Sequence, residues 1–353
     1  MGKEKMKYFS SWVLTLLLLC LTITADEPLV PALCFFGDSV MDAGNNNYLA
    51  TLLRADFLPY GRDFITHKPT GRFCNGKIAA DYTAEYLGFS TYPPPYLSRA
   101  NGTALLTGAN FASAGSGYYD MTAQLHQAIS LPQQLSYYRH WQKQVVAMVG
   151  DDKAETIFSR GIHILSAGSS DFLQNYYINP FLNQLYTSAQ FSDVLMKSYY
   201  HFVQKLYSLG ARRIGVTSLP PAGCLPAAIT LFGFGSNKCM PELNNDAMLF
   251  NKKLNASSQY LVDRYPDLKL VVFDIYQPLL DMITTPTNNG FCESRRGCCG
   301  TGTLETSLFC NLRSIGTCSN ATAYVFWDGY HPSESANHIL AQSLLMQGIQ
   351  LFS

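Results

Sequence analysis

Short apolar runs alternate along the chain with stretches whose apolar positions recur every three or four residues. The runs are residues 32–36, a weaker one at 107–111, then 162–167, 213–218 and 268–275. Such runs, bounded by Gly, Ser and Pro, predict buried strands. Between them, 77–87, 132–149, 189–209 and 241–265 have the period of amphipathic helices. Strand and helix in alternation predict a parallel sheet with helices on both faces. The expected architecture is α/β: a three-layer α/β/α sandwich around a mostly parallel five-stranded sheet. No repeat, low-complexity tract or linker divides the chain, so residues 26–353 read as a single domain. The segment from about 285 to 324 has no clear period and reads as a Cys-rich, cross-linked loop.

Composition narrows the class. Charged residues are only 14% of the 353 and apolar ones 47%, which excludes a disordered chain. Lys plus Arg and Asp plus Glu number 25 each, with no basic stripe, so nucleic acid is not an expected partner. Lys3, Lys5 and Lys7 precede an apolar stretch, 12–24, that is short for a membrane span. Residues 1–25 therefore read as a secretory signal peptide, and no other window suits a stable span. Sequons at Asn101, Asn255 and Asn320 are expected glycosylation sites and agree with secretion. Ten cysteines point the same way. Cys20 leaves with the signal, and nine remain, an odd number. Cys292, Cys298, Cys299, Cys310 and Cys318 crowd the aperiodic segment. A zinc site competes with disulfides there, but the cluster lacks His and repeated Cys-x-x-Cys spacing, so no metal is expected. Cys34, inside the first strand, is the candidate free thiol; the pairing is not readable.

Candidate chemistry lies at the strand ends. In open parallel sheets, ligands bind beyond the carboxyl ends of the strands. Gly37-Asp38-Ser39 follows the first run, Ala112 to Gly115 the second, and Gly168-Ser169-Ser170-Asp171 the third. Asp328 and His331 precede an expected last helix starting near Pro332, which brings them to the same edge. A serine hydroxyl becomes a useful nucleophile when an imidazole accepts its proton and a carboxylate orients that imidazole. Each residue also has a plainer reading. Ser39 or Asp328 can cap a helix, and His331 can be an ordinary first-turn residue.

Longer stretches separate these readings. Residues 36–47 (Phe-Gly-Asp-Ser-Val-Met-Asp-Ala-Gly-Asn-Asn-Asn), 69–73 (Pro-Thr-Gly-Arg-Phe), 219–224 (Leu-Pro-Pro-Ala-Gly-Cys) and 324–328 (Tyr-Val-Phe-Trp-Asp) occur in the right order. On these motifs the chain resembles the plant GDSL esterase/lipases, a branch of the SGNH hydrolases, over nearly its whole mature length. The resemblance implies a flavodoxin-like SGNH hydrolase fold with Ser39 as nucleophile, His331 as general base and Asp328 orienting it. It also implies an oxyanion hole from the backbone N–H groups of Ser39 and Gly115 and a third donor at position 170. There the family has Asn and this chain has Ser170, whose hydroxyl is shorter. The chain contains no Gly-x-Ser-x-Gly, which disfavours the nucleophile-elbow hydrolases.

The expected function is a secreted, cofactor-free serine ester hydrolase of the cell wall or apoplast, acting on lipid or other acyl esters through an acyl-enzyme. The alternatives are an extracellular acyltransferase using the same intermediate, or a non-catalytic lipid- or wall-binding protein. Asp42 and Asn45 to Asn47 are expected to hold the nucleophile loop, Arg72 to pair with an acid, and Ser113, Ser116 and Trp327 to pack. Tyr118, Tyr119, Tyr176 and Tyr177 are expected in part to line an acyl pocket.

Overall fold

The computed structural model describes residues 27–100 and 102–352. The expected signal segment and the sequon at Asn101 lie outside the described residues. In chain order the first elements are β1 (Leu33–Gly37), α1 (Ala79–Tyr86), β2 (Gly108–Asn110), α2 (Leu131–Val149), α3 (Asp151–Arg160), β3 (Ile162–Ser166) and α4 (Ser188–Ser208). They continue with β4 (Arg213–Thr217), α5 (Pro241–Arg264), β5 (Lys269–Phe273), α6 (Tyr276–Thr284), β6 (Glu293–Gly297), β7 (Tyr324–Phe326) and α7 (Glu334–Gln347). Short helical turns link them.

β1 to β5 form one parallel sheet in the order β2-β1-β3-β4-β5. All five residues of β1 are buried. Because side chains alternate across a strand, Cys34 and Phe36 face one layer while Leu33 and Phe35 face the other. The first layer takes apolar side chains from α2, α3, α4 and α5, including Tyr138, Trp141, Phe158, Phe202 and Phe250. The second comes mainly from α1 and α7, with Ala80, Ala84, Ala341 and Leu344. Burial on both faces is why these strands read as continuous apolar runs. The expected three-layer sandwich is the observed one.

Local chemistry trims the predicted ends. β2 is shorter than 107–111 and lies at the sheet edge, where Asn110 N–H donates to Pro94 O at 2.8 Å. β5 stops at Phe273 because Asp274 turns the chain into α6, its Oδ1 accepting from Tyr276 N–H at 2.8 Å. α4 starts with a capping box: Gln190 N–H donates to Thr187 Oγ1 and Thr187 N–H to Gln190 Oε1. The final helix is capped by Ser333, which accepts from Ala336 N–H. Asp328 is thus not its cap.

The segment expected to be a loop contains β6, paired in parallel with β7. The sequence Glu-Ser-Arg-Arg-Gly has no apolar alternation, so pairing geometry alone makes it a strand. Disulfides Cys298–Cys318 and Cys299–Cys310 staple this segment, and Cys224–Cys239 ties the loop after β4. Cys34 is free and buried, as is Cys74, and Cys292 is free and exposed. Among the described residues no helix is long and apolar enough to cross a membrane.

Candidate active site

The strand order reverses between β1 and β3, the switch point at which a crevice opens in doubly wound sheets. Ser39 sits there, two residues past β1. The crossing is tight: a Cβ on Gly37, whose φ is +123°, would lie 1.8 Å from Ser166 O, so only glycine fits. Gln134 of α2 clamps the same residue, accepting from Gly37 N–H and donating to Gly37 O, each at 2.9 Å. Asp38 N–H donates to Ser166 O at 3.0 Å. The strand end carrying Ser39 is thereby held to β3 and α2.

His331 arrives from the other end of the chain. Ser39 Oγ lies 2.7 Å from His331 Nε2, and Asp328 Oδ1 and Oδ2 lie 2.8 and 2.9 Å from His331 Nδ1. With Nδ1–H donating to the carboxylate, Nε2 is left as acceptor for the serine hydroxyl. Asp328 also accepts the backbone N–H groups of Tyr330 and His331 at 2.9 and 2.8 Å, so one carboxylate both shapes the turn and orients the ring. On its other oxygen Asp328 accepts from Tyr60 Oη at 2.8 Å and Thr306 Oγ1 at 3.1 Å. Its side chain is fully buried. The ring of Phe73 packs against the imidazole with centroids 5.1 Å apart.

The surrounding motifs brace this arrangement. Asp42 Oδ1 accepts the N–H groups of Gly44 and Asn45, and its Oδ2 accepts Ala114 N–H. Asn45 Nδ2 donates to Asn110 O and Ala112 O, and Asn46 Nδ2 to Leu53 O and Ala114 O. These bonds tie the Ser39 loop to the loop carrying Gly115. Among the described residues, the backbone N–H groups of Ser39 and Gly115 have no protein acceptor. Arg72 makes a bidentate pair with Asp81 at 2.7 and 2.8 Å, the structural role expected of it. Ser113 and Ser116 are buried and hydrogen-bonded to Asn46 and Gln134. Trp327 is fully buried beneath Arg62, whose guanidinium lies 5.0 Å from the ring centroid.

A cavity of about 50 Å³ opens beside Ser39, lined by Ser39, His331, Ser170, Leu173, Gln174 and Leu279 among others. Ser170 therefore faces the same space as Ser39, whereas Gly115 stands on the adjoining loop. The tyrosines expected near the substrate pack elsewhere. Tyr118 lies among Tyr199 and Phe250, Tyr176 stacks on Phe191, and Tyr177 Oη donates to Asp246. Leucines from the loop after β3, the loop after β4 and helices α6 and α7 line the cavity in their place. A larger groove of about 810 Å³ runs between α2 and α4 and includes none of Ser39, Asp328 or His331. Buried carboxyls concentrate near the strand ends. Burial pushes Asp38 and Asp171 up to about 7 and Asp42 up to about 6, against the hydrogen bonds they accept.

Tyr60, Thr306, Phe73 and Gln134 were beyond reach of sequence reasoning. Each sits tens to hundreds of positions from its partner, and no local spacing connects the two. The exposed side chains of Asn255 and Asn320 are on α5 and on the stapled segment.

Residues 33–344 match the family model described as GDSL-like Lipase/Acylhydrolase. The chain belongs to this family. The Arabidopsis thaliana GDSL esterase/lipase At3g53100 is 59% identical over 351 residues, covering 99% of this chain and 100% of that one. The GDSL esterase/lipase APG from the same plant is 58% identical, with 92% of each chain covered. Among solved structures, LAE5, an alpha/beta hydrolase enzyme from the metagenome of Lake Arreo, Spain, aligns with 91% of this chain and 96% of its own. Its identity is 10% and its TM-score 0.41. In this GDSL-family chain the matched span runs from the first strand to the last helix.

Proposed function

We propose that this protein is a secreted serine ester hydrolase, a GDSL esterase/lipase that cleaves carboxylic esters of lipid or other acyl substrates. The observation that carries the proposal is the Ser39–His331–Asp328 relay, with contacts of 2.7 and 2.8 Å. Ser39 Oγ attacks the ester carbonyl carbon while His331 Nε2 takes its proton. The oxyanion is met by the free N–H groups of Ser39 and Gly115. Collapse breaks the acyl–oxygen bond, and the alcohol leaves with the proton from His331. Water then attacks the acyl-enzyme, gives its proton to His331, and frees the carboxylic acid and Ser39. Asp328, locked by five donors, holds the ring through both halves.

Residues 1–25 act in this reading as the signal for export, residues 26–353 as the hydrolase domain, and Asn101, Asn255 and Asn320 as glycan acceptors. The disulfides agree with an oxidising compartment. Relatives bearing the name esterase/lipase favour hydrolysis over acyl transfer or a non-catalytic role. The test is turnover of p-nitrophenyl acetate and butyrate by wild type and Ser39→Ala, with fluorophosphonate labelling alongside. Turnover and labelling should both vanish in the variant. Equal rates in the two proteins would remove Ser39 from the mechanism.

A further inference from the structure

After β3 the chain enters one helical turn, Ser169–Asp171, that widens into a π-helical turn, Phe172–Tyr176. Widened turns of this kind recur at functional sites. Ser170 and Gln174 are four positions apart, so their side chains share a face. Both line the cavity with Ser39 and His331. Gln174 Oε1 is buried and has no hydrogen-bond partner. Its neighbour Asn175 is engaged, donating to Thr122 Oγ1 at 3.0 Å and accepting from Asn179 Nδ2 at 3.2 Å. Asn175 is therefore not the free carboxamide of this loop, and Gln174 is.

Gln174 Oε1 makes no hydrogen bond that would hold the carboxamide in one orientation, so the amide is free to turn toward a group bound in the cavity that Gln174 lines. Half a turn about the last side-chain torsion exchanges Oε1 for Nε2 with little change in shape. The carboxamide N–H is then available to a group bound in the cavity that Gln174 lines. Reach also fits: a serine hydroxyl ends one bond nearer the backbone than an asparagine amide nitrogen, and a glutamine amide nitrogen ends one bond further.

We propose that Gln174 is a catalytic residue, its Nε2–H bonding the substrate carbonyl oxygen as negative charge develops there. It supplies, from one helical turn further on, the side-chain donor that Ser170 is too short to provide. The assignment rests on Ser39 being the nucleophile.

The test is steady-state hydrolysis of p-nitrophenyl acetate by the mature protein, with fluorophosphonate labelling of Ser39 as a control. Loss of one oxyanion donor predicts a kcat about 100-fold lower in Gln174→Ala, with KM within about threefold of wild type. Gln174→Glu keeps the shape but replaces the donor with a carboxylate, and should fall at least as far; it also serves if the alanine variant does not fold. Ser170→Asn should restore kcat about tenfold or more in the Gln174→Ala background and change it less than about threefold in wild type. A purely structural role for Gln174 would not be rescued by an amide at 170. Active wild type with an unimpaired Gln174→Ala, a change confined to KM, or no rescue overturns the Gln174 assignment alone. Wild type that neither turns over nor labels at Ser39 overturns the nucleophile assignment and this one with it.

Discussion

Tyr60 and Asp328 are joined by a buried 2.8 Å hydrogen bond across 268 positions of the chain. The same phenol oxygen accepts Ser307 N–H at 2.8 Å, and Ser307 Oγ donates to Leu52 O and Arg54 O. One tyrosine thus connects the loop after β1, the stapled segment and the carboxylate that orients His331. Geometry at the site depends on elements far from it in sequence.

Tyr60→Phe should expose this dependence. The variant leaves Ser307 N–H buried without its acceptor and takes one donor from Asp328. Stability should drop by about 1–3 kcal/mol in denaturant titration, and kcat by about tenfold. Unchanged kcat in folded Tyr60→Phe would show that the remaining donors hold Asp328 by themselves.

The stapled segment should matter to catalysis as well as to stability. Cys298–Cys318 spans 20 residues that include Thr306 and Ser307. Replacing both cysteines with serine should cost about 3 kcal/mol of stability, the scale expected for a loop of that length. Esterase activity should fall with it at temperatures where the rest of the fold persists by circular dichroism. Full activity without this bridge would mean that the segment holds its position through β6–β7 pairing.

Acyl-chain preference follows from the narrow cavity. At about 50 Å³ it is well below the volumes typical of sites for larger ligands. Short acyl esters should therefore have the highest kcat/KM. Leu279→Ala removes a buried wall and should raise the octanoate-to-acetate ratio of kcat/KM by about tenfold or more, the scale of a methylene-sized difference. A wild type already preferring long chains would show that the leucine wall yields to substrate.

Stability should fall as pH rises from acid to neutral. Asp38, Asp42 and Asp171 are buried, and burial raises them to about 7, 6 and 7. Unfolded, they titrate near 3.9, about the usual carboxylate value. The native state thus holds protons that the unfolded state has released. Their contribution is full below about pH 4 and is lost as pH rises through about 6 to 7. Melting temperature should be higher at about pH 5 than at about pH 8, and Asp38→Asn should flatten that difference. Identical melting curves at the two pH values would show that these carboxylates are ionised throughout.

Much of the fold is legible in the sequence alone. Strands buried on both faces need continuous apolar runs, which is why β1, β3, β4 and β5 stand out to within a few residues. Ser39, Asp328 and His331 are legible because each lies in a short motif at a strand or helix end. The departure at Ser170 can be seen there too, and so can the disulfide-rich character of residues 285–324. Other features have no local signature. Nothing in Glu293–Gly297 reads as a strand, and no spacing links Tyr60 to Asp328 or Gln134 to Gly37. Which cysteines pair, which leucines close the cavity, and that Gln174 rather than Asn175 is the unpartnered amide depend on packing across the chain. Periodicity records which side of an element is buried; only the folded chain decides what is buried against it.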